Sequence, residues 1–199
     1  MVARRQPQMA VDEYLDFERN SDTKHEYFDG EIFAMAGASP NHNIITSNTI
    51  THLTNQIGER SCIVFASDQM IRTPSGLYAY PDISVVCGTP QYDEKATDIL
   101  LNPTLIVEVL SPSTENYNRG EKFRHFKTIS TLREYVLIAQ DTHRVERYAY
   151  QSGSDWLFAN AMGLTGEIEL KSIGITLDLA RLYRNITLPT QPLQSGGIT

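Results

Sequence analysis

The 199-residue sequence has only two cysteines, Cys62 and Cys87. They stand in apolar segments, CIVFA and ISVVC, with neither CxxC spacing nor a nearby histidine pattern. That excludes the common zinc and thiol-redox motifs and predicts reduced thiols in the core. His25, His52, His125 and His143 form no metal-spaced set with them, which removes the remaining support for zinc. A glycine-rich phosphate loop is missing, no serine lies in a GxSxG context, and no cysteine lies in a nucleophile motif. Covalent acyl chemistry therefore has no candidate, and direct attack by water is left. Long apolar runs are missing too, and the opening MVARRQPQM lacks the apolar stretch of a signal peptide, so a soluble, cytoplasmic protein without a membrane partner is expected. Excess positive charge is absent: 17 Lys and Arg against 24 Asp and Glu give a formal charge of −7. General coating of nucleic acid is driven by cations neutralising phosphate, so any such contact has to be local.

What is present suffices for one ordinary core, since 41% of the residues are hydrophobic. We expect a single domain over residues 1–186. A loose tail is expected over 187–199, where TLPTQPLQSGGIT has too few large apolar groups to offset its ordering entropy.

Met9 to Glu18 reads as a short amphipathic helix leading into KHEYFDGEIFAMAG, a hairpin with Asp29-Gly30 at its turn. Ser39-Pro40 starts a long helix with Ile50, Leu53 and Ile57 at helical spacing up to Gly58. CIVFA, QMIRT and AYPDISVVC read as strands and are expected to be consecutive antiparallel neighbours. TLIVEVL is a buried strand between Asn102-Pro103 and Ser111-Pro112, Tyr117 to Thr128 a helix with Phe123 and Phe126 inward, and EYVLIA another buried strand. RVERYAY, DWLFANA and EIEL follow as meander strands, then a short helix from Leu179 to Tyr183.

Two acidic residues stand out in this frame. Strand alternation puts Asp82, Ser84 and Val86 on one face, and places Glu108 between Ile106 and Leu110 on a strand apolar on both sides. A carboxylate there needs a compensating partner. An ion pair with Arg133 or Lys127 would serve. So would a hard divalent cation, if Asp82 and Glu108 point into one pocket from neighbouring strands. Arg119, Lys122, Phe123 and Phe126 fall at i, i+3, i+4 and i+7, so Lys122 could face the sheet, although most lysines are solvated. Arg119, Lys122, Arg124, His125, Lys127 and Arg133 also form the one cationic window in the chain.

YPDISVV, LIVEVLSPST and NRGEKF followed by LREYVLI resemble the Uma-type restriction-endonuclease family, a former domain-of-unknown-function family of the PD-(D/E)XK nuclease superfamily. The likeness runs from Val11 to Tyr148, and the ordered set of motifs is far more specific than a lone Pro-Asp. It implies an α/β (α+β) fold: a restriction-endonuclease-like mixed β-sheet flanked by helices, here with an added N-terminal hairpin and C-terminal meander strands. It further implies a metal-dependent endonuclease acting on nucleic acid, with DNA the expected substrate and Mg²⁺ (or Mn²⁺) the cofactor. Asp82 and Glu108 match the metal-binding acids. Leu110 stands where the superfamily signature has lysine, and Lys122 on the following helix is the candidate replacement completing the catalytic set. Glu31 in FDGEI and His42 in SPNHNII also resemble the family's pattern and are supporting candidates, each with a plain turn, capping or structural role as the alternative. Arg119 is the candidate for holding an adjacent phosphate.

Two other readings stay open. One is a catalytically inactive module that keeps the nuclease fold and pairs as a homodimer through YVLI and RYAY. The other is a hydrolase of small phosphate esters using the same residues in a closed pocket.

Overall fold

The computed structural model describes residues 8–94 and 96–188. It opens with helix α1 (Val11–Arg19) and the hairpin β1 (His25–Phe28) and β2 (Glu31–Ala34). The hairpin reverses at Asp29 and Gly30, with φ of 48° and 86°. Two successive left-handed residues match the right-handed twist of the flanking strands, the reason Asp-Gly is a strong turn signal. Helix α2 (Pro40–Ile57) starts where expected: the Ser39 hydroxyl accepts a 3.1 Å hydrogen bond from the His42 amide.

Strands β3 (Cys62–Ala66), β4 (Met70–Arg72), β5 (Tyr78–Ala79), β6 (Ile83–Cys87), β7 (Ile99–Leu100) and β8 (Leu105–Leu110) follow. Helix α3 (Glu115–Tyr117), a π-helical turn over Asn118–Lys122 and helix α4 (Phe123–Phe126) run end to end, and then come β9 (Glu134–Ala139), β10 (Arg144–Ser152), β11 (Asp155–Met162), β12 (Glu167–Leu170), β13 (Ile175–Asp178) and α5 (Leu179–Leu182).

The strands form a five-stranded sheet ordered β2-β1-β5-β4-β7, a six-stranded sheet ordered β11-β10-β9-β8-β6-β3, and the two-stranded β12-β13 ribbon. The expected α+β architecture of mixed sheets flanked by helices is therefore observed, with the hairpin and the added C-terminal strands in place. The expected run of consecutive neighbours from CIVFA to ISVVC is not. β3 pairs with β6, while β4 and β5 pair with each other in the other sheet. β6 is almost wholly buried: β3 and β8 pair with its two edges, and the apolar layers cover its two faces. The Thr73–Leu77 turn only joins β4 to β5, with Thr73 N bonded to Leu77 O at 2.9 Å. β13 is not among the expected strands, although its Ile175-Thr176-Leu177-Asp178 alternation matches its alternate burial, and it completes the ribbon with β12.

The cysteine expectation is also overturned. Cys62 and Cys87 are directly opposed in the β3–β6 register and are joined in a disulfide. Each apolar segment read alone hides this, because opposition is a property of the pairing.

The six-stranded sheet separates two apolar layers. One face carries Ile83, Val85, Val107, Val109 and Val136 against Ile45, Leu53 and Ile57 of α2. The other carries Val86, Ile106, Leu110 and Leu137 against Phe123 and Phe126. β8 and β9 run parallel, with α3 to α4 as the crossover between them. Both strands are buried throughout, so the YVLI segment is interior to the sheet and unavailable as an interface. No helix among the described residues is long and apolar enough to cross a membrane. Most of the expected tail, residues 189–199, lies outside the described residues.

Candidate active site

Asp82 lies one residue before β6, and β6 pairs antiparallel with β8 through Ile83↔Val107. Continuing that register by one residue sets Asp82 against Glu108, so the two carboxylates share the face that carries Val86 and Ile106. Asp82 Oδ2 accepts a 2.7 Å hydrogen bond from the Val109 amide and lies 3.2 Å from His42 Nε2. The α2 N-cap that fixes the first helical turn thus also delivers His42 to Asp82.

Glu108 is 3% exposed on a strand apolar on both sides. Its partner is neither Arg133 nor Lys127. Lys122 Nζ lies 2.7 Å from Glu108 Oε1 and 2.8 Å from Glu26 Oε1, so the ammonium bridges the six-stranded sheet to β1 of the other sheet. Tyr117 donates to Glu26 Oε2 at 3.2 Å. The π-turn explains how a helix lysine points inward. Widening the helix at Asn118–Lys122 keeps both Asn118 and Lys122 buried while Phe123 and Phe126 stay in the apolar layer.

The electrostatics of the centre follow from burial. Desolvation pushes the Glu108 carboxyl well up, opposed by Lys122 and reinforced by the charges of Asp82 and Glu26. Burial alone would lower Lys122, but Glu108 and Glu26 outweigh it and hold the ammonium charged. His42 follows the same logic: burial lowers its affinity for a proton, and Asp82, by hydrogen bond and charge, then Glu108, raise it above the ordinary value.

Three carboxylates thus surround one lysine and one imidazole. With all three acids ionised and His42 protonated, the negative charges outnumber the positive ones; burial favours the protonated form of Glu108, and a hard cation at the site would favour its carboxylate. Among the described residues no group of three or more His, Cys, Asp or Glu side chains is arranged to hold a metal by itself. Two carboxylates with a strand carbonyl suit an ion such as Mg²⁺, which keeps several waters, and do not suit a fully protein-coordinated site.

The remaining candidates fall outside this cluster. Glu31 lies on exposed β2 opposite Phe28, and the carboxylate that the hairpin brings to the centre is Glu26. Glu26 carries no sequence signal like that of Glu108, because HEYF is not an apolar run and its burial follows from the packing of β1. Arg119 is spent on Glu146 and Glu115, which raise its pKa further despite partial burial. The cationic window as a whole disperses: Arg124 pairs with Glu121, Lys127 sits over the Phe123 ring, and His125 is buried, which lowers its proton affinity.

A family model described as "Uma2: Putative restriction endonuclease" matches residues 11–180. The chain belongs to the Uma2 family. Two relatives from Synechocystis sp. (strain ATCC 27184 / PCC 6803 / Kazusa) are each 38% identical to it: uncharacterized protein slr1290, with 90% of this chain and 94% of that protein covered, and uncharacterized protein sll1609, with 82% and 93% covered. The Uma2 chain also shares its fold with a crystal structure of "a putative nuclease belonging to DUF820" from Anabaena variabilis ATCC 29413. The TM-score is 0.72 at 19% identity, over 88% of this chain and 97% of that one.

Proposed function

We propose that this Uma2 protein is a metal-dependent endonuclease that hydrolyses phosphodiester bonds in DNA. The observation that carries the reading is Lys122 Nζ at 2.7 Å from Glu108, on the sheet face that also carries Asp82. A lysine from the crossover helix thereby reaches the acid that the superfamily signature pairs with a strand lysine.

Asp82 and Glu108, with the carbonyl of Val109, are the residues that would hold Mg²⁺ or Mn²⁺. The ion supplies polarisation of a phosphate oxygen and a lowered pKa for a bound water. Lys122 fixes one oxygen of Glu108 and leaves the other for a ligand. Its positive charge also favours the negative charge that builds on the non-bridging oxygens during in-line displacement. His42 and the Val109 amide hold Asp82 in a single orientation, which spares the site that rearrangement during reaction.

The test is cleavage of single-stranded, duplex and branched DNA with Mg²⁺ or Mn²⁺ by the wild type, Asp82→Asn and Glu108→Gln. Activity is expected in the wild type alone, with folding of each variant checked by its melting curve. Cleavage surviving in both variants would sink the assignment.

One observation favours a second reading. Leu110 occupies the strand position of the signature lysine, and Lys122 is already held by two carboxylates, as in a purely structural ion pair. An inactive nuclease-fold module predicts neither turnover nor a melting temperature that responds to Mg²⁺.

A further inference from the structure

All four residues of β2 are exposed, but they do not face the same way. Directly opposed residues of an antiparallel pair share a face, and the register sets Phe33 against Glu26 and Glu31 against Phe28. Glu26 turns its carboxylate to Lys122, and Phe28 packs its ring on His125 with centroids 4.3 Å apart. That face of the hairpin therefore looks onto the acidic centre and the crossover helix. Ile32 belongs to the other face with Tyr27, whose ring stacks on Tyr14.

Phe33 is thus the cross-strand neighbour of a residue inside the centre, with Cβ atoms about 5 Å apart for such a pair, yet it is 48% exposed. Isolated exposed apolar side chains are ordinary and need no explanation. What distinguishes Phe33 is its register with the carboxylate that holds Lys122. Leu157, Phe158 and Met162, also exposed, lie on β11 at the far edge of the other sheet.

We infer that Phe33 is a base-stacking subsite, and that the strand cut at the acidic centre is presented with an unpaired nucleobase beside the reacting phosphate. This rests on the nuclease reading above. Every nucleobase offers a π-face, but a continuous duplex buries those faces in its own stack, so an exposed phenyl ring engages bases that are free: in single strands, gaps or frayed ends. The charge of the protein points the same way. With a net charge of −7, Arg119 held by Glu146 and Glu115, and Lys122 held by Glu26 and Glu108, the protein has reduced capacity to bind by neutralising phosphates. Stacking is a contact that an acidic protein can still make.

The experiment titrates the full chain, with Ca²⁺ in place of Mg²⁺, against a 2-aminopurine oligonucleotide as a single strand and as a blunt duplex. The single strand is expected to bind more tightly and to show stacking-induced quenching. Phe33→Ala should weaken single-strand binding roughly tenfold and abolish the quench, while Phe33→Trp keeps both. Only small shifts in melting temperature are expected, because about half of the residue is already exposed. Equal single-strand affinity in wild type and Phe33→Ala overturns the inference, as does preference for duplex, or Phe33→Leu performing as well as Phe33→Trp. A dimer that Phe33→Ala splits without changing DNA affinity overturns it in favour of a second copy of the chain. The two readings fail separately: Mg²⁺-dependent cleavage indifferent to Phe33→Ala removes the subsite alone, and Phe33-dependent binding without cleavage removes the hydrolysis alone.

Discussion

Glu26 and Glu108 sit on strands of different sheets and are held by the same ammonium, Lys122 Nζ, at 2.8 and 2.7 Å. One lysine therefore pairs with two buried acids and ties the N-terminal hairpin to the central strand.

Removing that charge leaves both acids buried without compensation, so Lys122→Met should destabilise the fold by about 3 to 5 kcal/mol. In urea unfolding the loss should shrink as pH falls, because protonating Glu108, whose carboxyl burial already pushes up, removes one of the uncompensated charges. A variant as stable as wild type at neutral pH would show that the bridge does not exist in solution.

His42 makes a pH-dependent contribution of known sign. Its folded pKa lies above the ordinary value, because Asp82 and Glu108 together outweigh its burial. The stabilisation is therefore fully present below the unfolded pKa of about 6.5 and is lost as pH rises through the raised folded value. Melting temperatures followed across this window should fall more steeply in wild type than in His42→Gln. Parallel profiles would remove the His42–Asp82 interaction.

Divalent metal should stabilise the folded protein by mass action, by about 2.7 kcal/mol at a hundredfold excess over Kd. Thermal scans with and without Mg²⁺ should therefore differ by several degrees in wild type and coincide in Asp82→Asn.

Glu134 offers a contrast to Glu108. It is equally buried, but it faces the other layer of the sheet, where the amides of Lys171 and Ser172 donate to it at 3.2 and 3.0 Å and the Ser172 hydroxyl adds a third bond. Glu134→Ala should cost about 1 to 3 kcal/mol for the stranded donors, read by chemical denaturation, and leave any cleavage rate unchanged. A loss of turnover at unchanged fold would place Glu134 in the chemistry.

The Cys62–Cys87 disulfide closes a loop with a sequence separation of 25. Constraining a loop of that length in the unfolded chain stabilises by roughly 3 kcal/mol. Reduction, or Cys62→Ala with Cys87→Ala, should lower the melting temperature accordingly, and identical oxidised and reduced curves would show that the bond does not form.

Local pattern was enough for much of this protein. The Asp29-Gly30 turn, the Ser39 cap of α2 and the buried runs of β8 and β9 follow from steric and hydrophobic rules that act over a few residues, and so does the need of Glu108, in an apolar strand, for a compensating partner. Pairing across distance was not legible. Which strand lies beside β6, that Cys62 opposes Cys87, that Glu26 and not Glu31 reaches Lys122, and that Glu146 takes up Arg119 all depend on register and on how the crossover helix packs. Chain neighbours share geometry through covalent bonds, so a sequence can display it. Buried charges are settled only when distant segments meet, because desolvation and counter-charge are properties of the assembled interior.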